Sequence, residues 1–367
     1  IEELVRDIEV RFLANRDEHL YVGLLTDFSD ANEETLPGDE SLLGLVRQRI
    51  VALNEKYRDT DGAPFFLFHR PRRWNPQERL WMGYERKRGK LADLNLLLRG
   101  EARDRFLLIV GKTNYLSDVK YVITLDTDTQ LPRDSARQFV GAMAHPLNRA
   151  RYDKDRQRTA AGYGILQPRV AVSLSGTNRS HYARMCASEL GIDPYTRAVS
   201  DVYQDLFGEG SFIGKGIYEV DAFERALGSR LPENRVLSHD LLEGCYARAG
   251  LLSDVQLYEE YPFRYSADVN RRHRWIRGDW QIAQWVLPFV PGPDGRLCKN
   301  PLSMLSRWKI LDNLRRSLTA AAFTLLLLLG WTVLPSPLFW TVAVLGMLVI
   351  PCVLGLSLNV LRKSDAM

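Results

Sequence analysis

The sequence predicts an α/β protein in which a mostly parallel sheet is flanked by helices and the chain then runs into two apolar membrane helices. Three observations predict it. Strand and helix patterns alternate from Glu2 to Val172. The strand-forming run Tyr121 to Leu125 ends abruptly in Asp126 and Asp128, as a buried strand does when its carboxyl end opens into a ligand crevice. Near the C-terminus, Leu318 to Leu334 and Leu338 to Leu361 contain no charged residue.

The elements follow in order. Leu4, Val5, Ile8 and Phe12 recur at helical spacing over residues 2–14, and Tyr21 to Leu25 is a buried strand ending in Thr26-Asp27. After an acidic loop with Pro37-Gly38, an amphipathic helix covers Leu42 to Tyr57 and a short strand Phe65 to His69. Arg70 to Lys90 is strongly basic and interleaved with Trp74, Trp81 and Tyr84; it reads either as a solvated loop or as a pocket for a phosphorylated donor. Lys90 to Leu98 is then a helix, Phe106 to Val110 and Tyr121 to Leu125 are strands, and Pro132 to Met143 is a helix. Beyond these come a strand at Gly164 to Val172 and a helix at Ser180 to Glu189. The glycine-rich loop Phe207 to Gly216 has the wrong spacing for a dinucleotide fingerprint. Its glycines serve either close backbone approach to a ligand or simple turns. Ser238 to Ala249 is a helix with Ser238 as its cap and Asp240 and Glu243 in the first turn.

The two uncharged stretches are separated only by Pro335, Ser336 and Pro337. Arg315 and Arg316 precede the pair and Arg362 and Lys363 follow it, so the positive-inside rule predicts a hairpin with both ends cytoplasmic. Just before it, Trp308, Ile310, Leu311 and Leu314 mix with Arg307, Lys309 and Asp312 as in a helix lying in the membrane interface. The expected organisation is a catalytic-type domain over residues 1–300, an interfacial helix over 301–316 and a transmembrane hairpin over 317–363.

At 367 residues, 46% apolar and 26% charged, the chain is a folded protein and not a disordered one. Its formal charge of +4 is too mild for a dedicated nucleic-acid binder, so no nucleic-acid partner is expected. Cys186, Cys245, Cys298 and Cys352 are scattered without zinc-ligand spacing, which fits a reducing compartment. The chain begins at Ile1 without a signal peptide, as a piece of a longer protein would.

Chemistry concentrates at the aspartate pair. Alternation along a strand puts Asp126 and Asp128 on one side, and two hard oxygen ligands there suit Mg²⁺ or Mn²⁺ bridging a diphosphate. Such pairs also occur as turn residues that cap the next helix. Asp27, at another strand end, has the same two readings.

Asp27, Gly89-Lys90 with Leu94-Asn95, Asp126-x-Asp128, His239-Asp240 and Arg274-Trp275, in this order before a membrane hairpin, resemble the family 2-like processive glycosyltransferases, which include cellulose and chitin synthases. Through EVRFLAN, LLTDFSDA, MGYERKRGKLADLN, YVITLDTDTQLPRDSA, FGEGSFIGKGIY, LSHDLLEG and RRHRWIRGDWQ, nearly the whole chain is similar to the glycosyltransferase region of bacterial cyclic β-1,2-glucan synthases. The resemblance implies a GT-A fold, UDP-glucose as donor, a growing glucan as acceptor and a divalent metal, Mg²⁺ or Mn²⁺. It implies inverting β-1,2 transfer at the cytoplasmic face of the bacterial inner membrane, in a multi-pass protein whose other regions are further partners. Relatives begin with a strand that helps to hold the nucleotide, expected here upstream of Ile1. This chain also has Arg271 where relatives have glutamine, and His239 where they have an acidic residue.

The resemblance assigns roles residue by residue. Asp128, with Asp126, would ligate the metal, and Asp126 would also stand near the donor's ribose. Lys90, with Arg86 or Lys87, would add positive charge to the diphosphate, and Asp27 would read the uridine. Asp240 would be the general base, ionised in a first helical turn. Trp275 would offer its face to a glucose ring, Arg274 would meet the diphosphate or acceptor hydroxyls, and Glu209 and Lys215 would be acceptor contacts. Two other classes compete with this enzyme: a membrane-tethered, non-catalytic carbohydrate-binding scaffold, and a metal-dependent phosphohydrolase, which lacks the further His and Asp ligands a second metal needs. A synthase of another β-glucan linkage is the alternative within the class.

Overall fold

The structure is a computed structural model that describes residues 1–58, 63–173, 176, 179–183, 201–228, 230–236 and 240–364, without the side chains of residue 352 and of those beyond 354. Ser238, His239, Cys186 and most of the expected Ser180 to Glu189 helix lie outside the described residues. The chain divides into two compact units, Ile1–Ile310 and the residues from Leu311 onward.

The first unit is mixed α/β, built on two small sheets. In one, β1 (Val22–Asp27) runs parallel to β2 (Phe65–Arg70), the two joined through α2 (Asp39–Lys56), and β5 (Leu108–Val110) pairs antiparallel on the other side of β2. β2 is buried at every position, and its two faces serve two cores. Phe65 and Leu67 meet Val5, Ile8 and Phe12 of α1 (Glu2–Ala14) and Ile50, Leu53 and Tyr57 of the α2 end, with Phe12 edge-on to Phe65 at 5.0 Å. Phe66 and Phe68 face the opposite way, into a core shared with Ile165, Tyr218, Phe223 and Ala249 from the second half. A period of two thus seats one strand between two apolar layers. Truncating either Phe65 or Phe66 to alanine would cost about 3–5 kcal/mol.

The short hairpin β3 (Arg72–Asn75) and β4 (Leu80–Gly83) follows β2 and leads to α3 (Arg86–Leu98). The basic stretch is therefore an ordered hairpin and a helix start, with Arg70 and Arg72 buried, rather than a solvated loop. After β6 (Tyr121–Thr124) come α4 (Ser135–Ala144), the hairpin β7 (Arg151–Asp153) and β8 (Arg158–Ala161), and β9 (Ile165–Val172). Then follow α5 (Val202–Phe207), β10 (Gly216–Glu219), α6 (Val220–Leu227), α7 (Asp240–Ala247) and β11 (Ala249–Glu259). The second sheet has the order β11-β9-β10-β6. β11 is parallel to β9, whereas β10 is antiparallel to both β9 and β6.

The expectation of a mostly parallel sheet is therefore corrected. In the two larger sheets antiparallel ladders outnumber parallel ones, because β10 and β5 run opposite to the strands they pair with. This arrangement positions the site. With β10 reversed, its amino end comes to the same edge as the carboxyl end of β6, and Gly216 lies opposite Thr124.

The unit closes with α8 (Tyr265–Gln281), the hairpin β12 (Phe289–Pro291) and β13 (Leu297–Lys299), and the first turns of α9 (Met304–Thr332). The segments expected as an interfacial helix and a first span are one continuous helix, since no glycine or proline interrupts the run from Ser303 to Leu329. Among the described residues, α9 is the one helix long and apolar enough to cross a membrane. α10 (Pro337–Ser364) contains Pro351. Buried Cys245 and exposed Cys298 are free thiols.

Candidate active site

Asp126 and Asp128 do not lie on the strand. β6 ends at Thr124, and the two aspartates occupy the turn beyond it, closed by a bond from the Thr129 amide to the Asp126 carbonyl at 3.2 Å. Arg11 of α1 braces this turn, donating to the carbonyls of Thr127 at 2.6 Å and Thr129 at 3.1 Å. The chain then forms a bridge between Gln130 and Tyr258 that brings the turn to the end of β11. Glu259, the last residue of β11, consequently joins Asp126 and Asp128, and carboxylate oxygens of the three lie within 4.8 Å of one another. The sequence reading missed Glu259; the signal was the short alternating run VQLY, which ends in adjacent glutamates as the Asp126 segment ends in aspartates.

Two lysines enter this cluster. Lys87 donates to Asp126 Oδ1 at 2.6 Å and to the Gly214 carbonyl at 2.6 Å. Lys215 pairs with Asp126 Oδ2 at 3.2 Å and with buried Glu259, which also accepts from the Thr129 hydroxyl at 3.1 Å. Burial pushes the Asp126 carboxyl up, but the Lys87 and Lys215 ammonium groups outweigh it and hold it below the usual carboxylate range. For Lys215 burial acts downward, and Asp126 and Glu259 together raise it above an ordinary lysine. Both partners are thus charged at neutral pH.

Lys87 reaches this position because of a local distortion. Glu85 and Arg86, at the start of α3, are both left-handed, with φ of 52° and 47°. Such consecutive departures are costly without glycine and persist only where surroundings enforce them. Here Arg70, 2% exposed, donates to the carbonyls of Tyr84 at 2.8 Å and Arg86 at 3.3 Å. The motif's Gly89 is required at this turn, since a Cβ there would stand 2.1 Å from the Tyr84 carbonyl oxygen.

Arg70 also fixes Asp27, through Nε to Oδ1 at 2.8 Å and Nη2 to Oδ2 at 3.2 Å, while its Nη1 holds Asp93 at 2.7 Å. Lys90 lies 3.7 Å from Asp27 Oδ2, and burial lowers its pKa, opposed by Asp27. Asp27, Phe28, Ser29, Asp30, Gly83, Arg86, Lys87 and Lys90 line a cleft of about 520 Å³. The structure thus divides the expected basic contacts: Lys90 serves the Asp27 cleft, and Lys87 links that cleft to Asp126.

Asp240 opens α7, against the glycine loop. A Cβ on Gly214, whose φ is +89°, would stand 2.7 Å from Asp240 Oδ2. Since the Gly214 carbonyl accepts from Lys87, Asp240, Lys87 and Asp126 are linked through one backbone residue.

The remaining expected residues are placed elsewhere. Glu209 is buried, and its carboxylate is committed to Lys309 at 3.2 Å, the Ser306 hydroxyl at 3.4 Å and Arg248 at 3.9 Å, so it presents no free face to an acceptor. Arg274 and Trp275 are exposed on α8, and the Arg271 guanidinium lies 4.9 Å from the Trp275 ring centroid. Arg271 also bonds to buried Asp268 at 2.9 Å, so at the relatives' glutamine position the arginine supports the tryptophan from its own helix.

Hard oxygen donors from two separate segments, next to fixed cations, can hold a divalent ion and receive a diphosphate. No family model matches the chain. It is 46% identical over 369 residues to the cyclic beta-(1,2)-glucan synthase NdvB of Rhizobium meliloti (strain 1021), an alignment that takes in 100% of this chain and 13% of that protein. Similarity sustained from one end to the other makes the chain the counterpart of one region of a cyclic β-glucan synthase.

Proposed function

We propose that this region is the glycosyl-transfer domain of a membrane glucan synthase, moving glucose from UDP-glucose to a growing β-1,2-glucan. The observation that carries the proposal is the junction at Gly214, where a candidate base, Asp240, adjoins the lysine that pairs with Asp126. The likeness to a cyclic β-1,2-glucan synthase supports the acceptor and the linkage, and α9, long and apolar enough to cross a membrane, supports a membrane setting. The uncharged C-terminal stretches and their flanking basic residues support a hairpin and a cytoplasmic catalytic face. The GT-A assignment rests on the motif order and on a cleft at the carboxyl end of β1.

In this reading the nucleoside enters beside Asp27 and Phe28, and the diphosphate lies toward Lys87 and Lys215. The acceptor hydroxyl gives its proton to Asp240, and its oxygen bonds to the anomeric carbon from the face opposite the phosphate. The bond from that carbon to the phosphate oxygen breaks, UDP leaves with the electron pair, and the configuration inverts. Asp126, Asp128 and Glu259 fit Mg²⁺ or Mn²⁺ by the chemistry of their oxygens and would hold it. When bound, such an ion supplies Lewis-acid stabilisation of the leaving diphosphate. Lys87 and Lys215 keep Asp126 ionised and add charge that needs no reorganisation during transfer.

The test is transfer of labelled glucose from UDP-glucose in membranes containing the full-length parent protein, wild type beside Asp240→Asn, with Mg²⁺ or Mn²⁺ and the product linkage determined. Metal-dependent β-1,2-glucan is expected from wild type, with turnover at least ~10²-fold lower in the variant and UDP binding retained. Equal turnover would remove Asp240 as base. No product from folded wild-type protein would move the reading to a carbohydrate-binding scaffold.

A further inference from the structure

The glycine loop that carries Gly214 and Lys215 is fastened at its other end by a residue no sequence motif singles out. Lys309, in the second turn of α9, is 2% exposed. Its ammonium donates to the Glu209 carbonyl at 3.1 Å, Glu209 Oε1 at 3.2 Å and the Gly210 carbonyl at 2.7 Å. A lysine offers three protons, and all three have acceptors in this loop. The Tyr203 ring lies 5.3 Å away, and Ser306, one turn earlier on the helix, adds its hydroxyl to Glu209. An ammonium so deeply buried is stabilised only while this loop keeps its place, and the loop's carbonyls are in turn satisfied by it.

From Gly210 the loop has little freedom before it reaches the site. Its amide bonds to the Ala249 carbonyl at 2.9 Å, Phe212 is buried, and the Ile213 amide bonds to Gln167 at 3.0 Å. Lys215 then stands between Gly214 at φ +89° and Gly216 at φ +151°, conformations that L side chains rarely adopt. Lys309 thus fixes one end of a short, closely held segment whose other end is Gly214 and Lys215.

We propose that Lys309 is a positioning residue for the transfer site: the helix whose later turns form the candidate membrane span sets, through Glu209 and Gly210, where Gly214 and Lys215 meet Asp126, Lys87 and Asp240. The proposal rests on the transfer reading for its kinetic consequence, but its structural consequence is independent of it. Because Lys309 acts through Gly214 and Lys215 on the Asp126 side of the site, and on the Asp27 cleft only at Lys87, its loss acts more on turnover than on nucleoside binding.

The experiment uses the full-length parent protein, wild type beside Lys309→Met, Lys309→Arg and Glu209→Gln, with amide hydrogen exchange over residues 205–218 and steady-state kinetics with UDP-glucose. In Lys309→Met, exchange is expected to rise about tenfold or more across this segment, and kcat to fall about tenfold with KM changed less than threefold. Lys309→Arg keeps the charge and restores part of both, while Glu209→Gln keeps the two carbonyl acceptors and loses less than Lys309→Met. Should Lys309→Met fail to fold, Lys309→Arg and Glu209→Gln decide the matter by the same two readouts. Wild-type exchange in a folded Lys309→Met, or raised exchange with kcat and KM both unchanged, would overturn the proposal. A wild-type protein that shows the exchange difference but transfers no glucose would defeat the donor assignment and leave the fastening role of Lys309 supported.

Discussion

Replacing Gly214 with alanine tests the junction between Asp240 and Lys87 directly, and its two costs can be separated. The first is conformational: φ at this residue is +89°, and a Cβ in the left-handed region costs about 1–2 kcal/mol. The second is steric, since the new Cβ would meet Asp240 Oδ2 at 2.7 Å and Cγ at 2.9 Å. Ordinary contact begins at 3.4 Å, so the carboxylate must retreat by about 0.7 Å, and as a 1 Å misplacement costs on the order of 10²-fold, a loss of at least ~10-fold in turnover follows. Gly100 provides the control: its φ of +81° is nearly the same, and a Cβ there meets nothing within 4 Å. Both variants should lose similar stability, a few degrees in Tm, while Gly214→Ala alone loses glucosyl transfer by the full-length protein. If Gly214→Ala and Gly100→Ala kept the same activity, the placement of Asp240 against this loop would have no part in the reaction.

Further outcomes follow from other parts of the site. Asp128→Ala should abolish the metal-dependent part of UDP binding, measured by titration with and without Mn²⁺; a binding curve that Mn²⁺ shifts equally in both proteins would remove Asp128 from the ligand set. Trp275→Ala should impair elongation more than donor hydrolysis, and equal losses in both would assign the ring to packing on α8. Burial lowers the pKa of His69 to about 4, below its unfolded value of about 6.5, so the unfolded chain binds the extra proton first. Stability should therefore fall as pH drops from about 6.5 to about 4, in denaturant titrations of the whole protein, and His69→Gln should flatten that slope. An unchanged slope in the variant would place the acid sensitivity elsewhere.

How much was legible in the sequence depended on whether the signal was local. The β6 strand and the apolar run of α9 announce themselves locally and lie where the pattern placed them, whereas Asp126 and Asp128 sit in the turn beyond the strand rather than on its face. Strand direction was not local. Nothing in GIYE distinguishes a strand that runs with its neighbours from one that runs against them, and the reversal of β10 is decided by which partners remain for Tyr218 and Ile217 in the two cores. Glu209 misled for a related reason: glycines around an acidic residue look the same whether they admit a ligand or, as here, a lysine from a helix 100 residues later. Glu259 was missed because its approach to Asp126 depends on the Gln130 to Tyr258 bridge, a contact between segments distant in sequence.

The arrangement of charge around Asp126 explains why so many cations occupy a site intended, in the transfer reading, for an anion. Asp126, Asp128 and Glu259 bring three negative charges within a few ångströms, and an isolated cluster of that kind would drive its own carboxylates toward protonation. Lys87 and Lys215 prevent this from opposite sides, leaving one net negative charge, enough to attract a divalent ion without holding it as a closed cage would. With that ion bound the site becomes net positive, which is the state a nucleoside diphosphate requires on arrival and on departure. The lysines thus have a second consequence that the carboxylates cannot have. Substituting Lys215 by methionine should strengthen Mn²⁺ binding while slowing transfer, because the cluster gains a negative charge and the diphosphate loses a cation. Weaker Mn²⁺ binding in a folded Lys215→Met would show that the lysine's main effect is to hold Glu259 and Asp126 in place, and that charge balance is secondary.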